Sequence, residues 1–353
     1  MKKLKVIQIG GEHDHAAPVF SSLRRQSDLF DVLGYVIPED DLNYQFDGAK
    51  QYFAGSKPSE GAKKHFQDMP RYTLEEALKL PGLEGAVIET SEKKLTKYAR
   101  IAAEHGLHVH MDKPGSEDGE EYQDLIRYMK EHGTVFSTGY MYRYNPAVKE
   151  LLEMKKRGDL GEIVYVQAQM NCLHRPEKRD WLHLYKGGMM FFLGCHLIDL
   201  ILQLQGEPEE VIPCNMCTGL DGVRGEDFGM ALLRYPRGIS FAKTTAVELG
   251  GFMRRQLVVA GTKATVEINP LEYSISGEVK NQCTDMFVTT TEDCARHGWG
   301  ARGEKQTRGP VNRYDDMMRA WGEAALGLAP MPVDLDYEAK LHRYVLKASG
   351  IIK

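Results

Sequence analysis

The stretch Gly106-Leu-His-Val-His-Met-Asp112-Lys113-Pro114 holds a helix-ending glycine, a short buried strand, and a lysine fixed between the strand's end and a proline. Lysine is costly to bury and its pKa shifts readily, so a lysine at the carboxyl end of a core strand is a candidate for chemistry. A surface lysine that happens to precede a turn is the alternative explanation. The rest of the chain has to decide between the two.

Strands alternate with helices on both sides of this stretch. The strand predicted at Ala86–Thr90 is followed by an amphipathic helix, and a second helix leads to a strand at Val135–Thr138. This alternation predicts a parallel sheet with helices on both faces. Ligands bind at the carboxyl ends of such strands, so we expect Gly10, Thr90 and Lys113 along one edge.

The amino terminus reads as a strand, a glycine turn and a helix, which is the entry to a nucleotide-binding unit. Such a unit usually carries G-x-G-x-x-G, but the window here is Gly10-Gly11-Glu12-His13-Asp14-His15. Glu12 puts a negative charge where the backbone should approach a pyrophosphate, whereas His13 and His15 offer hydrogen-bond donors. A strand-turn-helix that binds nothing is equally compatible with these residues. Glu39, roughly two positions beyond the usual place, is the best candidate for holding a ribose.

After Gly139 the pattern changes to strands joined by tight turns, which indicates a largely antiparallel sheet. Residues 276–310 are polar and glycine-bearing, and we interpret them as a long excursion. The sequence therefore predicts an α/β Rossmann-like doubly wound parallel sheet in residues 1–139. It predicts an α+β domain with a large, mainly antiparallel open sheet in residues 140–353, with C-terminal helices free to pack back on the first domain.

Composition excludes several classes of protein. Hydrophobic residues make up 42% and charged residues 27% of 353 positions, which is typical of a globular chain long enough for two domains. A net charge of -5 with scattered basic residues argues against nucleic acid and anionic membranes as partners. No apolar run approaches the roughly 20 residues of a membrane-spanning helix, and the apolar stretch after Lys5 is too short for a secretory signal. We therefore expect a cytoplasmic protein.

Cys214 and Cys217 form a CxxC, for which a metal or redox role is the alternative to plain reduced thiols. There is no second pair, and on the strand expected at Val211–Thr218 positions three apart would point to opposite faces. The histidines also fall in no ligand spacing that one face could present. The sequence therefore predicts no metal site.

The order of motifs resembles the Gfo/Idh/MocA family of NAD(P)-dependent oxidoreductases. Gly106–Pro114 is similar to its G-x-H-V-x-x-E-K-P signature, with Asp112 in place of glutamate. Gly139–Pro146 is similar to the segment that leads into the second domain, and Gly158–Ile163 to the G-x-L-G-x-I turn. Gly187–Asp199 looks like the family's G-G…H-x-I-D helix.

The resemblance implies a nicotinamide cofactor, NAD or NADP, bound between the two domains. It implies that Lys113 touches cofactor and substrate hydroxyl, and that His196 acts as general acid/base while a hydride leaves the same carbon. The cofactor-binding candidates are Gly10, Gly11, Glu12, His13, Glu39, Thr90, Asp112, Lys113, Pro114 and Arg143. The substrate-binding candidates are Tyr142, Trp181, His183 and Asp199. Aromatic and hydrogen-bonding groups together suit a sugar or polyol, although a solvated loop and a structural Asp199 are the alternatives.

One departure concerns Phe192, which stands where many members carry an aspartate one helical turn before the histidine. We expect a dehydrogenase acting on a hydroxyl of a sugar, polyol or sugar derivative, with a redox-cycling epimerase or glycosidase also open. The alternative is a non-catalytic ligand-binding or regulatory member with weakened cofactor binding, and a metal-dependent hydrolase is the weakest candidate. An antiparallel sheet with one exposed face favours a homodimer or homotetramer.

Overall fold

The computed structural model describes residues 2–11, 13–42, 65–274 and 282–353. The chain divides into two compact units, Met1–Tyr140 with Tyr314–Arg343, and Met141–Arg313 with Tyr344–Lys353. The division after Tyr140 lies next to the boundary predicted at residue 139. The segment 314–343 joins the first unit, so a part of the chain that is distant in sequence completes that unit's core.

The first unit is built on a parallel sheet in the strand order β3-β2-β1-β4-β5-β6. Its strands are β1 Leu4–Ile9, β2 Phe30–Val36, β3 Arg71–Tyr72, β4 Gly85–Ile88, β5 His108–Met111 and β6 Phe136–Thr138. Its helices before the second unit are α1 Ala16–Arg25, α2 Glu39–Leu42, α3 Leu74–Leu78, α4 Leu95–Glu104 and α5 Gly119–His132. The predicted Rossmann-like sheet is confirmed.

Local sequence explains these elements well. Thr73 accepts a hydrogen bond from the Glu76 main-chain N–H and forms a reciprocal capping box, which starts α3. The Gly85-Ala-Val-Ile88 run of β4 is wholly buried, as a strand covered by helices on both faces requires. Gly10 has φ +105°, and a Cβ there would lie 2.3 Å from the Glu89 carbonyl carbon. Only glycine fits at this end of β1, where the chain passes close to the end of β4.

The second unit is a mixed sheet in the order β13-β14-β12-β11-β7-β10-β9-β8, with β15 added to β14. Its strands are β7 Ile163–Asn171, β8 Glu210–Pro213, β9 Phe228–Tyr235, β10 Gly238–Thr245, β11 Gln256–Gly261, β12 Ala264–Ile268, β13 Tyr273–Ser274, β14 Gln282–Thr290 and β15 Lys305–Val311. Every described pair is antiparallel except β7 with β10. The predicted mainly antiparallel sheet is confirmed.

The remaining helices of the second unit are α6 Pro146–Arg157, α7 Pro176–Trp181, α8 Cys195–Gln205 and α9 Thr291–His297. The chain closes with α10 Asp315–Ala325, which belongs to the first unit, and α11 Leu335–Ala348, most of which does. Helix α8 packs on β7 and β10, and nearly all of its residues are buried. The turn that leads into it, Met190–Gly194, is π-helical. Among the described residues no helix has the length and apolarity to cross a bilayer.

Two expectations about the second half were wrong. The excursion predicted at 276–310 contains β14 and β15, which pair with each other around α9. Its polar residues hid the strands, because sheet pairing with distant segments decides strand formation more than local composition does. The strand expected at Val211–Thr218 ends at Pro213, so Cys214 and Cys217 are exposed residues beyond β8.

Candidate functional site

The carboxyl edge of the parallel sheet carries the predicted residues of the first unit. Gly10 follows β1, Thr90 lies just beyond β4, and Asp112 and Lys113 follow β5. Thr90 is fully buried and Lys113 is 2% exposed, and the peptide bond from Lys113 to Pro114 is cis. Lys113 is therefore a buried residue at the ligand edge of the sheet, and the explanation as a surface lysine does not apply.

The turn between β1 and α1 brings two histidines to one carboxylate. Nδ1 of His13 lies 3.0 Å from Oδ2 of Asp112, and Nδ1 of His15 lies 2.9 Å from the same oxygen. Glu89, at the end of β4, places Oε2 3.6 Å from Nδ1 of His13. We refer to His13, His15, Asp112 and Glu89 as the imidazole cluster.

Burial and neighbouring charges set the ionisation of this cluster. Burial would lower the pKa of His13, but the Asp112 and Glu92 carboxylates outweigh it and raise that pKa. Burial dominates at His15 and lowers its pKa to about 4. Burial would raise the pKa of Asp112, yet His13 and His15 hold it well below the usual range. The two imidazoles that share this carboxylate therefore have pKa values shifted in opposite directions.

Glu89 is the residue of this cluster that the sequence analysis missed. Burial, with the neighbouring Asp112 charge, raises the pKa of Glu89 well above the ordinary value. The signal was available, because Glu89 ends a buried strand in the same way that Lys113 follows one. Glu92 comes next, with Oε1 3.9 Å from Nε2 of His13.

Three other predicted cofactor residues, Gly11, Glu12 and Glu39, are not part of the imidazole cluster. Glu12 lies outside the described residues. Glu39 is exposed at the start of α2, whereas the next residue, Asp40, binds Lys97. A Cβ on Gly11 would approach the Ile37 side chain at 2.7 Å, so this glycine serves packing.

In the second unit His196 lies on the first turn of α8 and is 1% exposed. Its ring packs edge to face against Tyr142, with centroids 5.1 Å apart. The sequence placed Phe192 and His196 on one helical face by assuming regular α-helix, but Phe192 lies in the π-helical turn. The ring of Phe192 packs 5.2 Å from that of Trp181 instead.

Arg143 and Asp199, predicted as ligand-binding residues, contact each other. Nε of Arg143 donates to both carboxylate oxygens of Asp199, at 3.0 and 2.9 Å, and both residues are buried. Gln203 donates to the same carboxylate at 3.0 Å. This pair therefore joins the entry segment of the second unit to α8, which matches the structural alternative for Asp199.

Tyr142 belongs to a second charged group, which we call the arginine cluster and which consists of Tyr142, Arg255, Glu272 and Arg313. Nη1 of Arg255 donates to Glu272 at 2.7 Å and to the Tyr142 hydroxyl at 2.9 Å. Arg313 and the Tyr142 hydroxyl both donate to the same Glu272 oxygen. Burial would raise the pKa of Glu272, but the arginines outweigh it and lower that pKa. The cluster is a compensated set of ion pairs.

Trp181 forms an aromatic wall with a lysine against it. The Lys178 ammonium lies 3.8 Å from the Trp181 ring centroid and 4.8 Å from that of Phe192, and Lys178 is 2% exposed. A cation on an aromatic face in a buried position is strongly held. His183 is partly exposed, and its ring contacts the Asp180 carbonyl at 2.5 Å. Of the predicted substrate residues, Tyr142, Trp181 and Asp199 are buried, whereas His183 is partly exposed.

Comparisons with known proteins agree with this architecture. Residues 148–267 match the GFO/IDH/MocA C-terminal domain. Trans-1,2-dihydrobenzene-1,2-diol dehydrogenase of Bos taurus is 26% identical over 238 residues, which are 64% of this chain and 68% of that protein. 2,7-Anhydro-N-acetylneuraminate hydratase of Escherichia coli K12 is 26% identical over 202 residues, 54% of this chain and 53% of that protein.

A solved structure extends the likeness along the chain. Aldose-aldose oxidoreductase of Caulobacter crescentus has a TM-score of 0.74 at 19% identity and covers 99% of this chain and 98% of its own. At that identity the match concerns the fold. Together, the matched domain and the two relatives make this chain similar to the Gfo/Idh/MocA oxidoreductases, in agreement with the motifs around Lys113 and His196.

Proposed function

We propose that the protein is an NAD(P)-dependent oxidoreductase that transfers a hydride between the nicotinamide and a hydroxyl of a sugar, polyol or sugar derivative. The observation that carries this proposal is Lys113, a buried lysine at the ligand edge of a six-stranded parallel sheet. The family and its dehydrogenase relatives support the reaction class. A relative named for an anhydro sugar acid and a fold neighbour named for aldoses support the substrate class.

The residues fit a dinucleotide unevenly. Lys113 and Thr90 occupy the strand ends where the nicotinamide half would be held. The turn after Gly10 has His15 at the third glycine position of the fingerprint, and the carboxylates of Asp112 and Glu89 lie behind it. Pro18 also removes one N–H donor from the first turn of α1. We therefore expect weaker binding at the diphosphate than a G-x-G-x-x-G turn provides.

When bound, a nicotinamide supplies or accepts the hydride. The chain's own contribution is charge and proton handling. The Lys113 ammonium lowers the cost of negative charge on the substrate oxygen. His196 holds the proton that leaves or returns to that oxygen, since imidazole titrates near neutral pH.

The test is a titration with NAD(H) and NADP(H), followed by a panel of sugars and polyols monitored at the reduced-nicotinamide absorbance. Lys113→Met and His196→Ala are each expected to lower kcat by about 10² to 10⁴, because each removes a charge or proton-transfer group. His132→Ala, at an exposed histidine of α5, serves as a control for His196→Ala. Unchanged turnover in both variants would overturn the assignment of these residues.

A second candidate is a non-catalytic ligand-binding or regulatory member of the family. The imidazole cluster at the dinucleotide turn and Phe192 in place of an aspartate favour it. Calorimetry that detects neither nucleotide, with folded protein, would select this function over the oxidoreductase.

We also propose that the protein is a homodimer or homotetramer formed through the large sheet. Tyr165, Ile239 and Ile212 lie on one face of β7, β10 and β8 and are 37%, 54% and 41% exposed. Exposed apolar side chains on a sheet face mark interaction surfaces. Light scattering of wild type and of Ile239→Lys tests this proposal, because the charged side chain is expected to yield monomers.

A further inference from the structure

Three donor atoms of the imidazole cluster converge on one point. Nδ1 of His13 and Nδ1 of His15 lie 3.0 and 2.9 Å from Oδ2 of Asp112. All three donor atoms lie within 4.8 Å of one another. Donors bound to a common zinc ion at about 2.0–2.2 Å lie roughly 3–3.5 Å apart in a tetrahedron. The three side chains therefore have the separations of a metal-ligand set.

The backbone holds these donors from two sides. His13 and His15 are on the turn between β1 and α1, and Asp112 follows β5 directly. The main-chain N–H of Lys113 donates to Oδ1 of Asp112 at 2.6 Å, which leaves Oδ2 facing the imidazoles. The main-chain N–H of His15 also faces Nδ1 of His13 at 3.2 Å, so metal binding requires a small movement of that ring. The spacing of the histidines in the sequence does not indicate this arrangement, because it is the turn between β1 and α1 that brings His13 and His15 to Asp112.

A second observation also indicates a missing cation. Glu89 is fully buried, and neither of its oxygens receives a hydrogen bond from the described residues. Nε2 of His13, also buried, has no hydrogen-bond partner there either. Buried polar atoms are normally satisfied, and exceptions often mark an ion or water. A dication would compensate the carboxylates that gather here.

We propose that His13, His15 and Asp112 bind a divalent transition-metal ion of the zinc class, with Glu89 beside the open coordination position. Two imidazoles and one carboxylate suit zinc and iron better than magnesium, which prefers oxygen ligands. Three protein ligands leave a position for water or a ligand atom. This proposal does not rest on the proposed redox function, because it is argued from the positions of His13, His15 and Asp112 and its test measures metal binding rather than turnover.

The experiment uses the full chain, stripped with a chelator and free of nucleotide. Cys214→Ser, Cys217→Ser and Cys294→Ser are introduced first, because these three exposed thiols would bind zinc themselves. Calorimetry with Zn²⁺ is expected to give about one equivalent per chain and a higher unfolding midpoint. Co²⁺ is expected to give the visible absorption of a low-symmetry site, and Mg²⁺ is expected to bind far more weakly.

Variants then locate the site. His15→Ala and Asp112→Ala are each expected to weaken Zn²⁺ binding more than about 100-fold, and Glu89→Gln about 10- to 100-fold. His132→Ala, which removes an exposed histidine on α5, leaves binding unchanged. Circular dichroism confirms that each variant is folded, and His15→Ala is the mildest because His15 is partly exposed. The proposal is overturned if folded protein binds no Zn²⁺, if His15→Ala binds it as wild type does, or if Mg²⁺ binds equally well.

Discussion

The imidazole cluster of the first unit and the arginine cluster of the second are both buried groups of charge, but they differ in how they are compensated. In the arginine cluster, two guanidinium groups and a hydroxyl converge on Glu272. In the imidazole cluster, two imidazole rings share Asp112, and burial raises the pKa of Glu89 beside them. Guanidinium groups keep their charge at every physiological pH, whereas imidazoles do not. The arginine cluster is thus an ion-pair network whose charges stay fixed, whereas the charges of the imidazole cluster can change with pH or with a bound ligand.

The largest expected effect is in the arginine cluster. Glu272→Gln keeps the shape of the side chain but leaves Arg255 and Arg313 without their buried counter-charge. Removing one partner of a buried ion pair costs about 3–5 kcal/mol, so we expect that loss in the free energy of unfolding by urea denaturation.

The matched control for this substitution is Glu75→Gln, which breaks the exposed pair with Lys79. Exposed pairs contribute about 0–1 kcal/mol, so the control is expected to be almost neutral. Equal losses of unfolding free energy in the two variants would show that the arginine cluster does not stabilise the fold as a buried ion-pair network.

A smaller effect concerns the pH dependence of stability through His342, a buried histidine of the first unit. Burial lowers the pKa of His342 to about 4, where its Nε2 donates to the Ser116 carbonyl at 2.8 Å. The folded pKa lies below the unfolded value near 6.5, so the unfolded chain binds more protons and stability falls as pH drops from about 6.5 towards 4. Between pH 7.5 and 5.5 this residue alone is expected to cost about 1 kcal/mol.

The measurement is urea denaturation at both pH values for wild type and His342→Gln. The variant is expected to lose about 1 kcal/mol less than wild type over this interval, whatever its stability at pH 7.5. His132→Gln, at an exposed histidine of α5, is the matched control and should follow wild type. A wild-type slope in His342→Gln would mean that His342 is already protonated in the folded protein.

The sequence allowed the repeating parts of the molecule to be predicted, because their signals are local. Alternating strands and helices, the Thr73 capping box and the position of Lys113 after a buried strand all depend on short spacings. The family resemblance then pointed to His196. Both fold predictions are confirmed, and residues 148–267 match the GFO/IDH/MocA C-terminal domain.

The imidazole cluster and the arginine cluster could not be predicted from such local spacings. Asp112 meets His15 across 97 positions, and Glu272 meets Tyr142 across 130. Such contacts depend on the register of whole strands and on side-chain packing, for which a single sequence carries no periodic signal. Arg143 and Asp199 are an example. The sequence suggested a ligand-binding role for each and gave no sign that the two form a buried ion pair.

The smallest expected effect, that of Glu89→Gln, is the most direct test of the difference between the imidazole cluster and the arginine cluster. Glu89 is buried beside Asp112, so protonation is the cheapest way to keep it there, and its raised pKa follows. If Glu89 is neutral at pH 7, Glu89→Gln exchanges one neutral group for another of similar size. In chelator-treated protein we expect a change within about 0.5 kcal/mol, in contrast to Glu272→Gln, which removes a compensated charge. A loss above about 2 kcal/mol would mean that Glu89 is ionised and paired. The imidazole cluster would then stabilise the fold as a second buried ion-pair network. Because both substitutions are Glu→Gln at buried sites, the difference between their two losses measures compensation itself, independently of side-chain volume.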